Sequence, residues 1–341
     1  MLLSIIVPFF NAEKTSKRLL ETLKNIKQKD VELILINDGS TDNTYTILEN
    51  FKSEIPNINV MLIDQNNKGP GGARNSGLKV AKGDYVWFVD CDDDIKLEAI
   101  DIIRDNVHKN YDFIDFNIIR EKNVVNSMNV EAGEYNISNT PEISALLLNN
   151  FGCIWSKVIR RELINENEVY YPEYCVYEDN PLRFIYPFFI KSFLKSEVVS
   201  YIYQLEFDSV TRSKPNLRTL DRLYTAEYGL NKAIKLVKNN TEMEALEEKF
   251  IEKFLIEPSM KYFSIRPSTS WVTTWRIMKQ YRDMEKKYGI KIRPTEAIKA
   301  TKYHPKVKSY LLIQWKLSRS IRTNQTKYFE NIRKKNWPQR K

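Results

Sequence analysis

The stretch Asp84–Asp94, DYVWFVDCDDD, decides how the rest of the chain is interpreted. Its residues Tyr85–Val89 are aromatic or β-branched, which is typical of a short buried strand, and four carboxylates follow this strand. Because side chains alternate along an extended chain, Asp90 and Asp92 are predicted to point the same way, with Cys91 turned towards the core. Clustered carboxylates repel one another, so the pattern indicates a bound Mg²⁺ or Mn²⁺ ion. The alternative on these residues alone is a solvated acidic turn that caps a following helix.

Strand and helix patterns alternate through the first third of the chain. The predicted strands are 2–8, 31–36, 59–63 and 85–89, and the predicted helices are 11–28, 45–51, 72–81 and 95–107. Strands that alternate with helices at this spacing predict a mostly parallel, doubly wound α/β sheet with right-handed crossovers. Ligands of such sheets bind beyond the carboxyl ends of the strands.

Polar and glycine-rich stretches fall at these predicted carboxyl ends. They are Pro8–Asn11, Asp38, the loop that leads to Arg74, and the acids after Val89. The loop contains Gly69–Gly72 and precedes a helix, and a glycine-rich approach, a helix N-terminus and a guanidinium together suit a diphosphate. Asp38 could accept from a base N–H or a ribose hydroxyl. The sequence therefore predicts a site for a nucleotide diphosphate that carries a further group.

Composition excludes several other classes of protein. The chain has 341 residues, of which 42% are apolar, so it can form one large or two smaller globular units. Two histidines make a zinc site or a Ser-His-Asp triad hard to build, and three widely spaced cysteines argue against a disulfide framework. We expect a cytoplasmic protein, because the N-terminus does not resemble a signal peptide and the longest apolar runs fall short of the roughly 20 residues that span a bilayer.

The positive charge is concentrated at the C-terminal end. The formal net charge is +9, and residues 302–341 contain twelve lysines and arginines against the single acid Glu330. One interpretation is a solubilising tail. The other is a basic face that contacts either the anionic inner surface of the cell membrane or a lipid-linked phosphate.

Four motifs in order resemble the family 2 glycosyltransferases of GT-A fold. They are SIIVPFFN at 4–11, LINDGSTD at 35–42, NKG with ARNSG between 67 and 77, and GDYVWFVDCDD at 83–93. The resemblance implies transfer of a sugar from a nucleotide donor, commonly UDP-linked, with inversion at the anomeric carbon. It also implies a Mn²⁺ or Mg²⁺ ion held by Asp92 and Asp90.

The resemblance assigns the nucleotide site residue by residue. By position, the residues that contact the nucleotide are Pro8, Phe10, Asn11, Asp38, Asn67, Arg74, Asp90 and Cys91. Pro8, Phe10 and Asp38 are expected around the base, Arg74 near the nucleotide, and Asp90 at the ribose or metal. Phe10 stands where many relatives have tyrosine, so no hydroxyl contact is expected there.

The acceptor half carries three further resemblances. Trp155 and Lys157 match the Trp-x-Lys segment near the acceptor, although Trp155 could also be a core residue. Glu178 and Asp179 match a Glu-Asp pair in which the aspartate is the usual base, and we favour Asp179 with Glu178 in support. The alternative there is a helix start capped by Asn180. A third match, YIYQLEFDSVTRS at 201–213, predicts that Arg212 or Lys214 forms a lid over the diphosphate.

The sequence thus predicts a GT-A domain over 1–215, with a nucleotide-binding half 1–105 and an acceptor half 106–215, followed by a basic helical region 216–341. The predicted function is transfer from a UDP-sugar to a glycan, lipid-linked or polyol-phosphate hydroxyl in surface-polysaccharide synthesis. A sugar-1-phosphate nucleotidyltransferase would need a basic, glycine-rich loop after the first strand. A nucleic-acid-binding module would leave the acids after Val89 unexplained.

Overall fold

The computed structural model describes residues 1–136, 141–205, 217–256, 267–291, 298–299, 305–320 and 325–337. The chain forms two compact units, Met1–Tyr174 with Phe189–Asp208, and Cys175–Phe188 with Ser209–Lys341. The segment Cys175–Phe188 therefore groups with the C-terminal region, whereas the sequence analysis placed it in the acceptor half. The lid prediction for Arg212 and Lys214 lies outside the described residues.

The first unit is built on one sheet of ten described strands. They are β1 Leu3–Phe9, β2 Val31–Asn37, β3 Asn59–Asp64, β4 Tyr85–Phe88, β5 Asp94–Ile95, β6 Phe113–Arg120, β7 Asn123–Val125, β8 Gly133–Asn136, β9 Lys157–Arg160 and β10 Ser192–Tyr203. The helices of this unit are α1 Lys17–Leu23, α2 Thr44–Glu54, α3 Gly69–Val80, α4 Glu98–Asn106, α5 Pro141–Asn150 and α6 Arg161–Glu166. The strand order is β3-β2-β1-β4-β9-β6-β10-β5, with β7 beside β6 and β8 beside β10.

The part of the sheet formed by residues 1–105 up to β4 is parallel. Strands β3, β2, β1 and β4 pair in parallel, and every residue of β1 and β2 is buried. A strand that is covered on both faces has a continuous apolar sequence, and for this reason these strands could be recognised in the sequence. Beyond β4, the strand β9 runs antiparallel to both of its neighbours, and β6 pairs in parallel with β10. The predicted α/β sheet with a parallel first half is confirmed, and the antiparallel pairings lie beyond β4.

Two predicted element boundaries next to the site differ from the structure. The helix predicted from residue 95 begins at Glu98, because Asp94 and Ile95 form β5 and pair antiparallel with Ile202 and Tyr201 of β10. The helix predicted from residue 72 begins at Gly69. Pairing of β5 with β10 delays the first helix by three residues, and the glycines at 69–72 extend the second helix by one turn at its start. Tertiary contacts of this kind override local propensity.

The second unit is helical in its described part. Its helices are α7 Leu182–Ile185, α8 Asp221–Ala233, α9 Asn240–Phe250, α10 Pro267–Tyr288, α11 Pro305–Leu317 and α12 Thr326–Asn336, and α9 continues as a π-helical turn over Ile251–Ile256. Asn239 caps α9 by accepting a hydrogen bond from the Glu242 N–H. None of the helices in the described part of the chain combines the length and apolar character that crossing a membrane requires.

Candidate active site

The first edge of the site is the connection that leaves β1. Phe9 ends the strand, and its carbonyl accepts a hydrogen bond from the Asp38 N–H at the end of β2. Asn11 adopts a left-handed φ of 50°, and its side-chain oxygen accepts from the Thr41 N–H at 2.8 Å. The two strand ends are thereby joined, as the sequence predicted. Phe10 is 44% exposed, which leaves its ring accessible at this edge.

Asp38 follows β2 and lies between the connection that leaves β1 and the loop after β3. Its side chain is buried and accepts from the Gln65 side chain at 2.7 Å and from the Lys68 N–H at 2.9 Å. Burial raises the pKa of this carboxyl above its ordinary value. Asn67 lies in the same loop and accepts from the Gly69 N–H at 3.1 Å. Asp38 therefore holds the loop 65–69 in place.

Gly39 is required by the same loop. Its φ is +71°, in the left-handed region, and a Cβ atom there would lie 2.8 Å from the Asn67 backbone nitrogen. A side chain at this position would be strained and would also displace backbone. The turn after Asp38 thus depends on glycine for both reasons.

Arg74 and Asp90 meet although they lie on different elements. Arg74 is on α3, and its Nη2 atom lies 2.5 Å from Oδ1 of Asp90, which follows β4. The Arg74 guanidinium also lies 5.2 Å from the centre of the Tyr171 ring. The structure thereby brings together two residues that the sequence assigned to the nucleotide, and the positive charge sits at the N-terminal half of a glycine-rich helix.

The acids of the segment Asp90–Asp94 form a turn after β4, called the acidic turn below. It is fixed by Asp93, which the sequence analysis did not single out. Its carboxylate is buried and accepts from the Tyr201 hydroxyl at 2.7 Å and from the Gln204 N–H at 2.8 Å. Burial, followed by the charges of Asp90 and Asp92, raises the pKa of Asp93 to about 8. The Tyr201 hydroxyl in turn accepts from the Asp90 N–H at 3.2 Å. Asp90 and Asp92 are only partly buried, so the turn presents them outward while Asp93 faces inward.

The chemistry of the acidic turn fits a hard divalent cation. Within the described residues, no three His, Cys, Asp or Glu side chains are grouped so as to hold a metal ion by themselves. Mg²⁺ is commonly bound by one or two carboxylates together with substrate phosphates, which is what Asp90 and Asp92 offer. Burial raises the pKa of the Cys91 thiol well above its ordinary value, so the thiolate that a softer metal would need is disfavoured.

Aromatic rings pack around Trp155 in the first unit. The Trp155 ring is partly buried and stacks on Tyr203, with ring centres 5.7 Å apart and planes 12° apart. The Trp155 ring also packs on Tyr201, at 4.4 Å between ring centres. The Arg120 guanidinium lies 5.6 Å from the Tyr203 ring centre. Trp155 is therefore a packed residue with part of its ring at the surface.

Lys157 does not fit the role that the resemblance implied. Its side chain is fully buried, and Nζ lies 2.7 Å from Oδ1 of Asp115 and 3.0 Å from the Cys153 carbonyl oxygen. Lys195 approaches the other Asp115 oxygen at 3.1 Å. The ammonium group is thus held inside the fold, and we correct the prediction that Lys157 contacts the acceptor.

Asn75, in the motif ARNSG, is a second residue that the sequence analysis missed. It is buried, and its amide donates to the Tyr171 carbonyl at 2.9 Å and accepts from the Tyr171 N–H at 3.0 Å. The Tyr174 N–H donates to the Lys68 carbonyl at 2.6 Å. Tyr171 and Tyr174 are therefore bonded to α3 and to the loop before it. A motif asparagine within a helix was the only available signal.

Glu178 and Asp179 belong to the second unit. Glu178 is buried, whereas Asp179 is partly exposed and lies 3.6 Å from the Arg183 guanidinium. A helix does begin just after these two acids, as the alternative prediction had it, but Pro181 rather than Asn180 is at the N-cap of α7.

The sheet order and the connections described above define an α/β protein of GT-A fold. Residues 4–167 match the family model described as glycosyl transferase family 2. This segment is a family 2 glycosyltransferase domain, as the four motifs predicted.

Known relatives and solved structures agree with this assignment. The chain is 27% identical over 273 residues to the poly(ribitol-phosphate) β-N-acetylglucosaminyltransferase TarS of Staphylococcus aureus, covering 77% of this chain and 44% of that protein. It is 27% identical over 291 residues to the cholesterol galactosyltransferase of Borreliella burgdorferi, covering 80% of this chain and 77% of that protein. The chain thus spans less than half the length of TarS. The crystal structure of S. aureus TarS 1–349 with UDP-GlcNAc is similar in fold, with a TM-score of 0.67, 20% identity, and coverage of 94% of this chain and 91% of that one.

Proposed function

We propose that the chain is an inverting glycosyltransferase. It moves a sugar from a UDP-sugar, or another nucleotide sugar, to a hydroxyl of a glycan, lipid-linked or polyol-phosphate acceptor in surface-polysaccharide synthesis. The observation that supports this most is the Arg74–Asp90 pair, which joins a glycine-rich helix start to the acidic turn. The names of relatives support the acceptor class, since TarS is a poly(ribitol-phosphate) enzyme and a Campylobacter jejuni relative acts on an undecaprenol-linked glycan.

The donor would lie along the edge formed by Phe10, Asp38, Arg74 and the acidic turn. The exposed Phe10 ring offers a face to a base, and α3 offers backbone N–H groups and the Arg74 cation to a diphosphate. Asp92 and Asp90 would hold a Mn²⁺ or Mg²⁺ ion, which supplies positive charge against the diphosphate when it is bound.

Asp179 is the proposed base, and Glu178 supports it. In a single displacement Asp179 removes the proton of the acceptor hydroxyl while the hydroxyl oxygen forms a bond to the anomeric carbon. The bond from that carbon to the diphosphate oxygen breaks, and UDP leaves with the bonding electron pair. No protein acid is required for the leaving group, whose charge Arg74 helps to stabilise.

The acceptor is proposed to contact the exposed part of Trp155. An aromatic ring face packs against the apolar face of a sugar, and the neighbouring Arg120 cation suits a phosphate-containing acceptor. The lysines and arginines of residues 302–341 support an anionic acceptor or contact with an anionic membrane at its cytoplasmic face.

A thermal-shift screen of nucleotide sugars with and without Mn²⁺ tests the donor site, because a ligand that binds the native state raises the unfolding midpoint. We expect the largest shift with one UDP-sugar plus Mn²⁺, and loss of the Mn²⁺-dependent part in Asp92→Asn. Asp94→Asn is the matched control, since the Asp94 side chain accepts from its neighbour Ile95 N–H and should leave the shift unchanged. Equal shifts with and without Mn²⁺ would contradict the metal assignment.

The base is tested by Asp179→Asn. We expect transfer to fall by about 10²-fold or more, with donor binding retained. Arg183→Gln is the control, because it removes the Asp179–Arg183 ion pair but leaves the carboxylate. Near-normal transfer by Asp179→Asn would show that another group takes the proton.

A further inference from the structure

The segment that carries Asp179 has a strained backbone. Tyr174 and Tyr177 adopt left-handed φ angles of 53° and 63°. For a bulky side chain this conformation is an outlier, and it persists only where the surrounding contacts fix it. The contacts around Cys175–Pro181 therefore determine where Glu178 and Asp179 are held.

Helix α8 provides these contacts at the start of the segment. Oδ2 of Asp221, the first residue of α8, accepts a hydrogen bond from the Val176 N–H at 3.0 Å. The next residue, Arg222, places its guanidinium 4.1 Å from the centre of the Tyr177 ring. Asp221 is only 2% exposed, so this is an interior contact of the second unit.

Helix α8 also packs closely on the end of the segment. A Cβ atom at Gly229 would lie 2.9 Å from the Pro181 Cβ and 3.1 Å from its Cα. The helix thus contacts the segment at Val176 and at Pro181, on either side of Glu178 and Asp179. A small movement of α8 would be transmitted to the residues between these two points.

The C-terminal end of the described chain reaches the same carboxylate. The Trp337 indole Nε1–H donates to Oδ2 of Asp221 at 2.9 Å, and the Arg218 guanidinium lies 4.7 Å from the Trp337 ring centre. Trp337 follows α12 directly and is buried. One oxygen of Asp221 therefore joins the catalytic segment to a residue 116 positions later in the sequence.

At neutral pH the charge state of Asp221 favours the hydrogen bonds that it accepts from the Val176 N–H and the Trp337 indole. Burial raises the pKa of its carboxyl to about 6, and the Trp337 and Val176 N–H donors and the Arg333 and Arg218 charges act in the opposite direction. The carboxylate is thus mainly ionised at pH 7. Removing it would leave the Val176 N–H and the indole N–H without their acceptor in the interior.

We propose that Asp221 is a positioning residue for the acceptor base. It holds Cys175–Pro181 in the conformation that presents Asp179, and Trp337 fixes the orientation of Asp221. The C-terminal helices thereby support the catalytic step, beyond any contact with acceptor or membrane. This inference rests on the proposed function of Asp179.

A double-mutant cycle with Asp179 separates positioning from general stability. We expect Asp221→Ala to lower kcat for transfer about tenfold, with donor and acceptor KM within about twofold, and to lower it by less than about twofold in the Asp179→Asn background. Asp221→Asn keeps an oxygen acceptor and should restore kcat to within about threefold of wild type. Equal losses in both backgrounds would mean a merely structural role and would overturn the proposal.

Trp337→Phe provides a milder variant in case Asp221→Ala does not fold. It removes the indole donor and keeps a ring beside Arg218, and we expect a loss of about threefold in kcat with unchanged donor affinity. Trp315→Phe is the control, because Trp315 is a buried indole of α11 whose ring packs on Arg282, 3.7 Å from the guanidinium. It should lower stability and leave kcat unchanged.

Hydrogen exchange gives a readout that does not depend on turnover. In Trp337→Phe and Asp221→Ala the amides of Cys175–Pro181 should exchange faster, while those of α3 stay protected. Unchanged exchange in that segment would overturn the proposal. Faster exchange with full activity would also overturn it and leave the glycosyltransferase assignment intact. Full activity of Asp179→Asn would instead remove the proposed base, and with it the inference.

Discussion

Replacing Lys157 by methionine tests the placement that departs most from the family resemblance. The substitution keeps an apolar chain of similar length and removes the ammonium group. In the wild type this group lies 2.7 Å from Oδ1 of Asp115, donates to the Cys153 carbonyl at 3.0 Å, and lies 4.8 Å from the Phe151 ring centre. Both partners of the ion pair are fully buried.

The expected loss follows from these contacts. Removing one partner of a buried ion pair costs about 3–5 kcal/mol, because the other charge is left uncompensated. Lys195 remains 3.1 Å from Oδ2 of Asp115 and Ser156 still donates to Oδ1 at 2.8 Å, so part of the compensation is retained. We therefore expect a loss near the lower end, about 3 kcal/mol in the free energy of unfolding.

Urea unfolding and steady-state kinetics check the two halves of this reasoning. The denaturation midpoint should fall, and the acceptor KM of the folded fraction should be unchanged because the Lys157 side chain has no exposed surface. Glu162→Gln is the control; it breaks an exposed pair with Arg160 and should cost less than about 1 kcal/mol. Wild-type stability together with a raised acceptor KM would refute the interior role and restore the predicted acceptor contact.

Three further outcomes can be measured on the same protein. Tyr201→Phe removes the hydroxyl that bonds Asp93 at 2.7 Å and should lower the free energy of unfolding by about 2 kcal/mol in urea; an unchanged midpoint would contradict the contact. Gly39→Ala should weaken UDP binding about tenfold or more in calorimetry, because its Cβ would meet the Asn67 backbone nitrogen at 2.8 Å; wild-type affinity would show that the loop shifts without cost. The Asp221 pKa is raised by burial from 3.8 to about 6, so its protonated form stabilises the fold below pH 4 and that stability is lost as pH rises through 6. The stability of wild type relative to Asp221→Asn should therefore fall by about 3 kcal/mol between pH 4 and 7 in urea titrations, and a flat difference would exclude the shift.

Local sequence pattern was sufficient to predict the strands of residues 1–105. The strands β1 and β2 are buried on both faces. A strand of this kind is a run of apolar residues ended by a turn, and such a run can be recognised in the sequence. Asp38 and Arg74 could be placed at one edge because parallel strands share the direction of their carboxyl ends. The Arg74–Asp90 pair fits this expectation without having been predicted as a pair.

Long-range pairing was the part that could not be predicted. Lys157 occupies a motif position, and only the fold shows that its ammonium group forms an ion pair with Asp115, 42 residues earlier. The contact between Val176 and Asp221 spans 45 residues, and that between Asp221 and Trp337 spans 116. No periodicity relates such positions. Composition and spacing therefore indicated a basic helical region without showing what its last tryptophan contacts.

The acidic turn shows why a run of like charges can be stable before any ligand binds. Three neighbouring carboxylates could not all be buried and ionised, since each one disfavours the charge of the next. The fold separates them: Asp93 is turned inward to a tyrosine hydroxyl and a backbone N–H, with its pKa raised to about 8, while Asp90 is compensated by Arg74. The inward acid and the Tyr201 hydroxyl fix the turn, and this arrangement leaves Asp92 presented outward beside a pair that is already neutralised. The proposed diphosphate and its cation would then bind without any rearrangement of the turn, and such preorganisation is what stabilises developing charge in a transition state.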